Sequence, residues 1–182
     1  MPRSHGVTMI ELLIVLVVLG VLAAVVGPSF RGMMVRQRVQ GVHDQLVTDL
    51  QLARSELAAR ANATAPTDVA VTFGGNAALS CYTIHTAGAA CDCTAAPGSA
   101  CAPGAQEIRT VQIQRAQGIS LAASSTSGTV LRFQPPQGTI TPTDLTVTVS
   151  GDPSGQLRTQ LSVVGRPSVC SPDGSMKGVP TC

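Results

Sequence analysis

Six cysteines, three histidines and one isolated carboxylate are the residues from which this chain of 182 could build chemistry. Cys81, Cys91, Cys93, Cys101, Cys170 and Cys182 are an even set lying wholly beyond residue 80, which suits disulfides, and their spacing leaves the pairing open. A structural metal is the rival use of the same thiols. Cys91 and Cys93 are separated by one residue, not the two or more of ordinary zinc knuckles, so no metal is expected. His43 falls among helix-forming residues and His85 ends a candidate strand. Neither belongs to a Ser-His-Asp pattern, and no phosphate-binding glycine loop or convincing carboxylate pair accompanies them. The chain is therefore not expected to be an enzyme, and no cofactor is implied.

The isolated carboxylate is Glu11, in "HGVTMIELLIVLVVLGVLAAVVGP", residues His5 to Pro28. From Met9 to Val26 every other position is apolar or Gly. At ~1.5 Å per helical residue that run reaches roughly 27 Å, close to the ~30 Å of a bilayer's hydrocarbon core. A secretory signal fits less well, because its apolar core is about 7–15 residues and ends in a small-residue cleavage site. Arg3 precedes the run while Arg31, Arg36 and Arg38 follow it, so charge leaves the orientation open. An acid in hydrocarbon costs on the order of 2–3 kcal/mol or more. Glu11 therefore needs either a partner or a place at the membrane edge to which it can snorkel.

This N-terminal stretch resembles the class III signal of type IV pilins and pseudopilins, with a short basic leader ending in Gly, a Glu five places on and an unbroken apolar run. The resemblance implies cleavage by a prepilin peptidase between Gly6 and Val7 and N-methylation of Val7. It makes Glu11 the fifth mature residue, an assembly residue paired with the α-amine of a neighbouring subunit's Val7. Pro28 stands where the family often has a proline, and Val7 where it usually has Phe.

Beyond Pro28 the pattern becomes one-sided. Val35, Val39, Val42, Leu46, Leu50, Ala53 and Leu57 recur every three or four residues, with Arg36, Arg38, Asp44, Asp49, Arg54, Glu56 and Arg60 on the rest of the circumference. The spacing predicts one helix over roughly 8–61, kinked at Pro28, whose second half packs on a domain. A free coiled coil is the weaker reading, since the heptad is irregular. Candidate strands follow at Thr67–Phe73, Leu79–His85, Gln106–Arg115, Ile119–Ala122, Thr129–Gln134, Leu145–Ser150 and Arg158–Val164, with Gly and Pro breaks between them. In "DLTVTVSG", Leu145, Val147 and Val149 alternate with threonines, as in a half-buried antiparallel sheet. The expected class is α+β and pilin-like. Its parts are a leader (1–6), a hydrophobic transmembrane and polymerisation segment (7–28), an amphipathic helix (29–61) and a β-rich head (62–182).

The C-terminal half, "TVLRFQPPQGTIT" and "LRTQLSVVGRPSVCSPDG", resembles the GspH/FimT group of minor pilins and pseudopilins through Phe133, Gly138, Gly165-Arg166 and Cys170. Residues 75–105 match neither stretch and read as a variable loop. The pilin signal puts the head outside the cytoplasm, where thiols oxidise, and the neighbours Cys170 and Cys182 are the best single pair. Such a link would stabilise by roughly 3 kcal/mol.

The resemblance implies a low-abundance subunit of a type IV pilus or type II secretion pseudopilus, in a priming or tip complex. It would sit first as a single-pass protein of the bacterial inner membrane with a periplasmic head, and its partners would be the prepilin peptidase and other major and minor pilins. Some FimT-type proteins bind DNA for uptake in natural transformation, which makes Arg166 and Lys177 candidate DNA contacts. Twelve basic against ten acidic residues provide no strong electrostatic signal for nucleic acid. Aromatics for stacking are limited to Phe30, Phe73, Tyr82 and Phe133.

Overall fold

The computed structural model describes residues 8–60, 68–86, 88–135 and 137–182, with the side chains of 25–29 also outside the description. The chain divides into two compact units, Met1–Met34 and Val35–Cys182. Helix α1 (Met9–Arg60) runs from the first into the second. From Val35 the amphipathic stretch belongs to the same unit as the strands. The helix assignment continues past position 28.

Within the second unit α1 presents one apolar stripe. Val39, Leu46, Leu50, Ala53 and Leu57 are fully or nearly fully buried, with Val35 and Val42 packed beside them. Among the described residues nine strands follow: β1 (Val69–Gly75), β2 (Leu79–Thr86), β3 (Glu107–Gln114), β4 (Ile119–Ser124), β5 (Val130–Gln134), β6 (Thr139–Thr141), β7 (Thr146–Gly151), β8 (Gln156–Leu161) and β9 (Pro167–Cys170). They form two antiparallel sheets, ordered β3-β2-β1-β5-β6 and β4-β7-β8-β9, where the sequence suggested one. The period of two places Val69, Val71, Phe73, Tyr82, Ile84, Leu131 and Phe133 of the first sheet in the core. From the second come Ile119, Leu121, Val147, Val149, Leu157 and Leu161. Phe73 lies opposite Tyr82 in the ladder, with ring centroids 6.0 Å apart.

Two short strands were not expected, because strands this brief between turns carry too few residues for a visible alternation. β6 and β9 are of this kind. β8 begins two residues earlier than expected and stops at Leu161, because Ser162–Arg166 close a turn. There the Ser162 amide donates to the Arg166 carbonyl at 3.0 Å, and Gly165 adopts φ 71°. The strand expected at Leu79–His85 is β2 (Leu79–Thr86), at the start of the segment 75–105.

β2 is buried on both faces. Tyr82 and Ile84 face the core, while Cys81, Thr83 and His85 face away and are covered by residues 88–106. That cover is fastened by the Cys81–Cys93 disulfide and closed on itself by Cys91–Cys101. Polar ties finish the seal. The Gln112 side-chain amide donates to the carbonyls of Cys93 (2.9 Å) and Ala95 (2.8 Å). The Glu107 carboxylate accepts from the amides of Gly98 (2.9 Å) and Ala100 (3.0 Å). The Gly98 N–H foremost, then the Thr110 hydroxyl, holds the Glu107 carboxyl below its ordinary pKa.

Two buried polar side chains on α1 tie the helix to the sheets, one to each. His43 meets the Thr159 hydroxyl of β8 at 2.9 Å. Asp49, 1% exposed, accepts a 2.7 Å hydrogen bond from the Tyr82 hydroxyl of β2. Its other oxygen lies 3.0 Å from the Arg109 guanidinium of β3, paired by charge without a hydrogen bond. Burial, and then the neighbouring carboxylate, push the Tyr82 phenol well above its ordinary pKa, so it stays a donor.

Removing Tyr82's hydroxyl strands a buried carboxylate oxygen. Tyr82→Phe should therefore cost about 1.5–3 kcal/mol in urea unfolding. The Asp49→Ala/Tyr82→Phe pair should cost less than the sum of the single changes. Strict additivity would mean the two groups do not support each other.

Candidate functional site

The first unit holds the residues with which the chain could assemble. α1 opens on Thr8, whose hydroxyl accepts from the Glu11 amide at 3.3 Å while its carbonyl accepts from Leu12 at 3.2 Å. Thr8 is thus the N-cap and Glu11 the third residue of the first turn. Thr-x-x-Glu is the spacing of a capping box, in which the side chain of the first residue satisfies an amide that the helix leaves unpaired. A carboxylate in the first turn also faces the positive end of the helix dipole. Thr8 is a residue that the sequence reading missed, and the capping spacing was the available signal. Gly6 and Val7 lie outside the described residues.

Beyond this cap the helix is apolar on every side. Leu12, Leu13, Ile14, Val15, Leu16, Val17, Val18 and Leu19 are each more than half exposed, although consecutive residues point some 100° apart. A single apolar face could be buried by the chain's own sheets, but a full circumference must be covered by something outside the molecule. Among the described residues no helix is long and apolar enough to cross a membrane. The expected span, 7–28, includes Val7 and the side chains of 25–28, which are outside the description.

In the second unit the cysteines form three disulfides: Cys81–Cys93, Cys91–Cys101 and Cys170–Cys182. The ligand atoms of His85, Cys91 and Cys101 lie within 4.8 Å of one another. Both sulfurs are bonded to each other, which removes their thiolates from metal binding. His85 Nδ1 donates to the Thr86 carbonyl at 2.9 Å, leaving Nε2 to accept from the Thr72 hydroxyl at 2.8 Å. Burial, with Arg132 adding to it, lowers the His85 pKa. The imidazole borders a cleft of about 490 Å³ together with Thr72, Cys91 and Arg132. Among the described residues no carboxylate lines that cleft, and the proton on Nδ1 is committed to a backbone oxygen.

Gly165 and Arg166 occupy the β8–β9 turn. A Cβ on Gly165 would stand 3.1 Å from the Phe133 ring and 3.4 Å from Ile140, in a backbone conformation side chains rarely adopt. The Gly-Arg pair thus joins an obligatory glycine to an exposed cation. Arg166 precedes β9, whereas Lys177 follows it, next in sequence to the buried Met176, whose sulfur lies near Gly155. The register pairs Pro167 with Leu161 and Cys170 with Arg158, so the two candidate DNA contacts lie beyond opposite ends of β9. The structure does not bring them together. Gly165→Ala should lower stability by about 1–3 kcal/mol in urea unfolding, because both the backbone and Phe133 must move. An unchanged midpoint would show that the turn relaxes freely.

Comparison with known proteins points the same way. The "Prokaryotic N-terminal methylation motif" matches residues 1–27 and "Type II transport protein GspH" matches residues 43–165. The second match spans most of the head, including the segment 75–105. No curated protein and no solved structure matches the chain. Family membership implies processing by a prepilin peptidase and assembly with other pilins or pseudopilins. With a pilin-type leader, a capped acid opening an all-round apolar helix and a GspH head, the chain belongs to the GspH family, as a pilin or pseudopilin subunit of a type IV pilus or type II secretion system.

Proposed function

We propose that this chain is a minor pilin or pseudopilin, held by its N-terminal helix in the inner membrane with the head in the periplasm. From there it is drawn at low abundance into the priming or tip complex of the fibre. The observation that carries the reading is the helix surface from Met9 to Leu22, apolar around its circumference and interrupted by one acid in the first turn. Such a surface is equally suited to lipid and to a bundle of like helices. It can exchange one for the other without changing shape.

In that exchange Glu11 acts as the registration residue. Cleavage after Gly6 creates an α-amine at Val7, which is then methylated but keeps its charge. A carboxylate in an apolar bundle is tolerated when a cation meets it, and the neighbouring subunit's Val7 amine is the available one. Pro28 would add a bend between the apolar and one-sided parts of α1. The DNA-uptake role remains the alternative, and its two candidate cations lie at separate ends of β9.

Co-expression with a prepilin peptidase should remove Met1–Gly6 and yield a methylated Val7 by intact mass and N-terminal sequencing. A leader left uncut in cells that process a known prepilin would overturn the assignment. Glu11→Ala should be cleaved normally yet lose most of its incorporation, on the order of tenfold or more, if the pair is worth ~1.4 kcal/mol or above. Undiminished incorporation would remove Glu11 from assembly.

A further inference from the structure

We propose that one rim of the head, built by Arg36, Arg38, Arg115 and Lys177, binds the anionic phospholipid headgroups of the bilayer that holds the apolar segment. The inference rests on the membrane-held state described under Proposed function and adds a second contact to it. The rim surrounds the point where α1 enters the second unit. Val35 and Val39 pack there against Gly151, where an added Cβ would meet them at 2.6 and 2.7 Å.

Arg36 and Arg38 leave the helix on either side of those valines. The Arg36 guanidinium donates to the Ser154 hydroxyl at 3.4 Å, and that of Arg38 to the Gln117 carbonyl at 3.5 Å. Arg115, in the turn before β4, donates from Nε to the Asn76 carbonyl at 3.1 Å. The turns 115–118 and 151–155 are joined by the Asp152 amide, which donates to the Gly118 carbonyl at 2.9 Å. Gly155 lies against both Arg36 and Met176, so the exposed Lys177 follows in sequence one residue after this contact.

The charges on this rim are not neutralised. Among the described residues the ion pairs of arginine are Arg60–Glu56 and Arg109–Asp49, and no rim cation takes part in one. The partners of the three arginines are neutral hydroxyl or carbonyl oxygens, and each arginine uses one contact of the several N–H donors in its fork. Asp152 and Asp173 are the nearby acids, and Asp173 is engaged by the Ser171 and Ser175 hydroxyls. Arg38, Arg115 and Lys177 are exposed. A guanidinium with free, forked donors and no counter-charge is suited to phosphate oxygens.

Chain length selects the lipid surface as the source of that phosphate. Arg36 lies ten residues beyond Val26, the end of the apolar run, a chain length of at most about 15 Å as helix. The headgroup layer takes about 6 Å of that. The helical chain left over is thus at most about 9 Å, comparable to the ~8 Å Debye length at physiological ionic strength, and an arginine side chain spans much of it. Basic residues this close to an anionic leaflet are drawn to it, and the attraction is screened by salt. Gly165-Arg166, across the head at the Leu161 end of β8, has no such chain link.

The test uses the full chain in nanodiscs of phosphatidylcholine alone or mixed with phosphatidylglycerol, read by amide hydrogen exchange in 115–118 and 151–155. Exchange should slow several-fold only with phosphatidylglycerol, return to the phosphatidylcholine rate at high salt, and do the same in Arg38→Gln/Arg115→Gln. Thermal unfolding of that variant in detergent should match the parent, and Arg166→Gln should keep the protection. Equal exchange in the two bilayers, or protection that survives the double substitution, overturns the proposal. Protection of the same turns by duplex DNA on phosphatidylcholine discs, without a phosphatidylglycerol effect, also overturns it. Alkaline carbonate extraction separates the two levels of failure. A chain stripped from the bilayer overturns the membrane-held state and the rim contact with it, while a chain that resists stripping but shows no lipid effect overturns the rim alone.

Discussion

One helix has to satisfy two different surroundings, and the rest of the structure follows from that constraint. Up to Leu22 α1 buries nothing of its own, and its apolar side chains stand exposed on all sides. From Val35 onward the same helix is the central element of a core. Its one-sided stripe would be costly in water, and two sheets cover it. No comparable cover exists for the first part within the described residues. Assembly and folding thus divide the helix between them, with the apolar surface of one part left for partners and that of the other consumed internally.

The head is arranged to keep that second part in one register. Leu46, Leu50, Ala53 and Leu57 supply non-directional burial, which alone would allow the helix to slide by a turn. His43 and Asp49 are directional. Each meets one hydroxyl of a sheet, on β8 and on β2 respectively, so a shift of α1 would break both hydrogen bonds at once. A buried aspartate facing a phenol and a half-exposed guanidinium is therefore better understood as a locating device than as a large source of stability.

Much of this was legible from residue spacing, and the exceptions have physical reasons. The apolar run, Glu11 and the 35–57 stripe are long periodic signals, and α1 spans Met9–Arg60 against an expected 8–61. β1, β2, β3, β5 and β7 fall within a few residues of their alternating segments. The three-residue β6 and four-residue β9 are too short to show a period, and their partners are fixed by tertiary contact. The division into two sheets was hidden for the same reason, since alternation reports which face is buried and not which strand lies alongside. Asp49 was assigned to the polar side of the helix by its type, and only the opposing Tyr82 and Arg109 show why it is buried. Thr8 was legible in principle, because its spacing to Glu11 is the capping signal.

The disulfides have a consequence for how the head carries load. Each closes a short local loop, with sequence separations of 12, 10 and 12, and none joins α1 to a sheet or one sheet to the other. A pull along the helix axis therefore meets no covalent crosslink at the seam. It is resisted by apolar side chains in shear, together with the His43 and Asp49 ties, all strained at once instead of one after another. Interfaces loaded in shear yield only when many contacts fail together, so a subunit drawn by its helix can transmit tension to its head while the helix–sheet seam stays free of bonds that redox chemistry could cut.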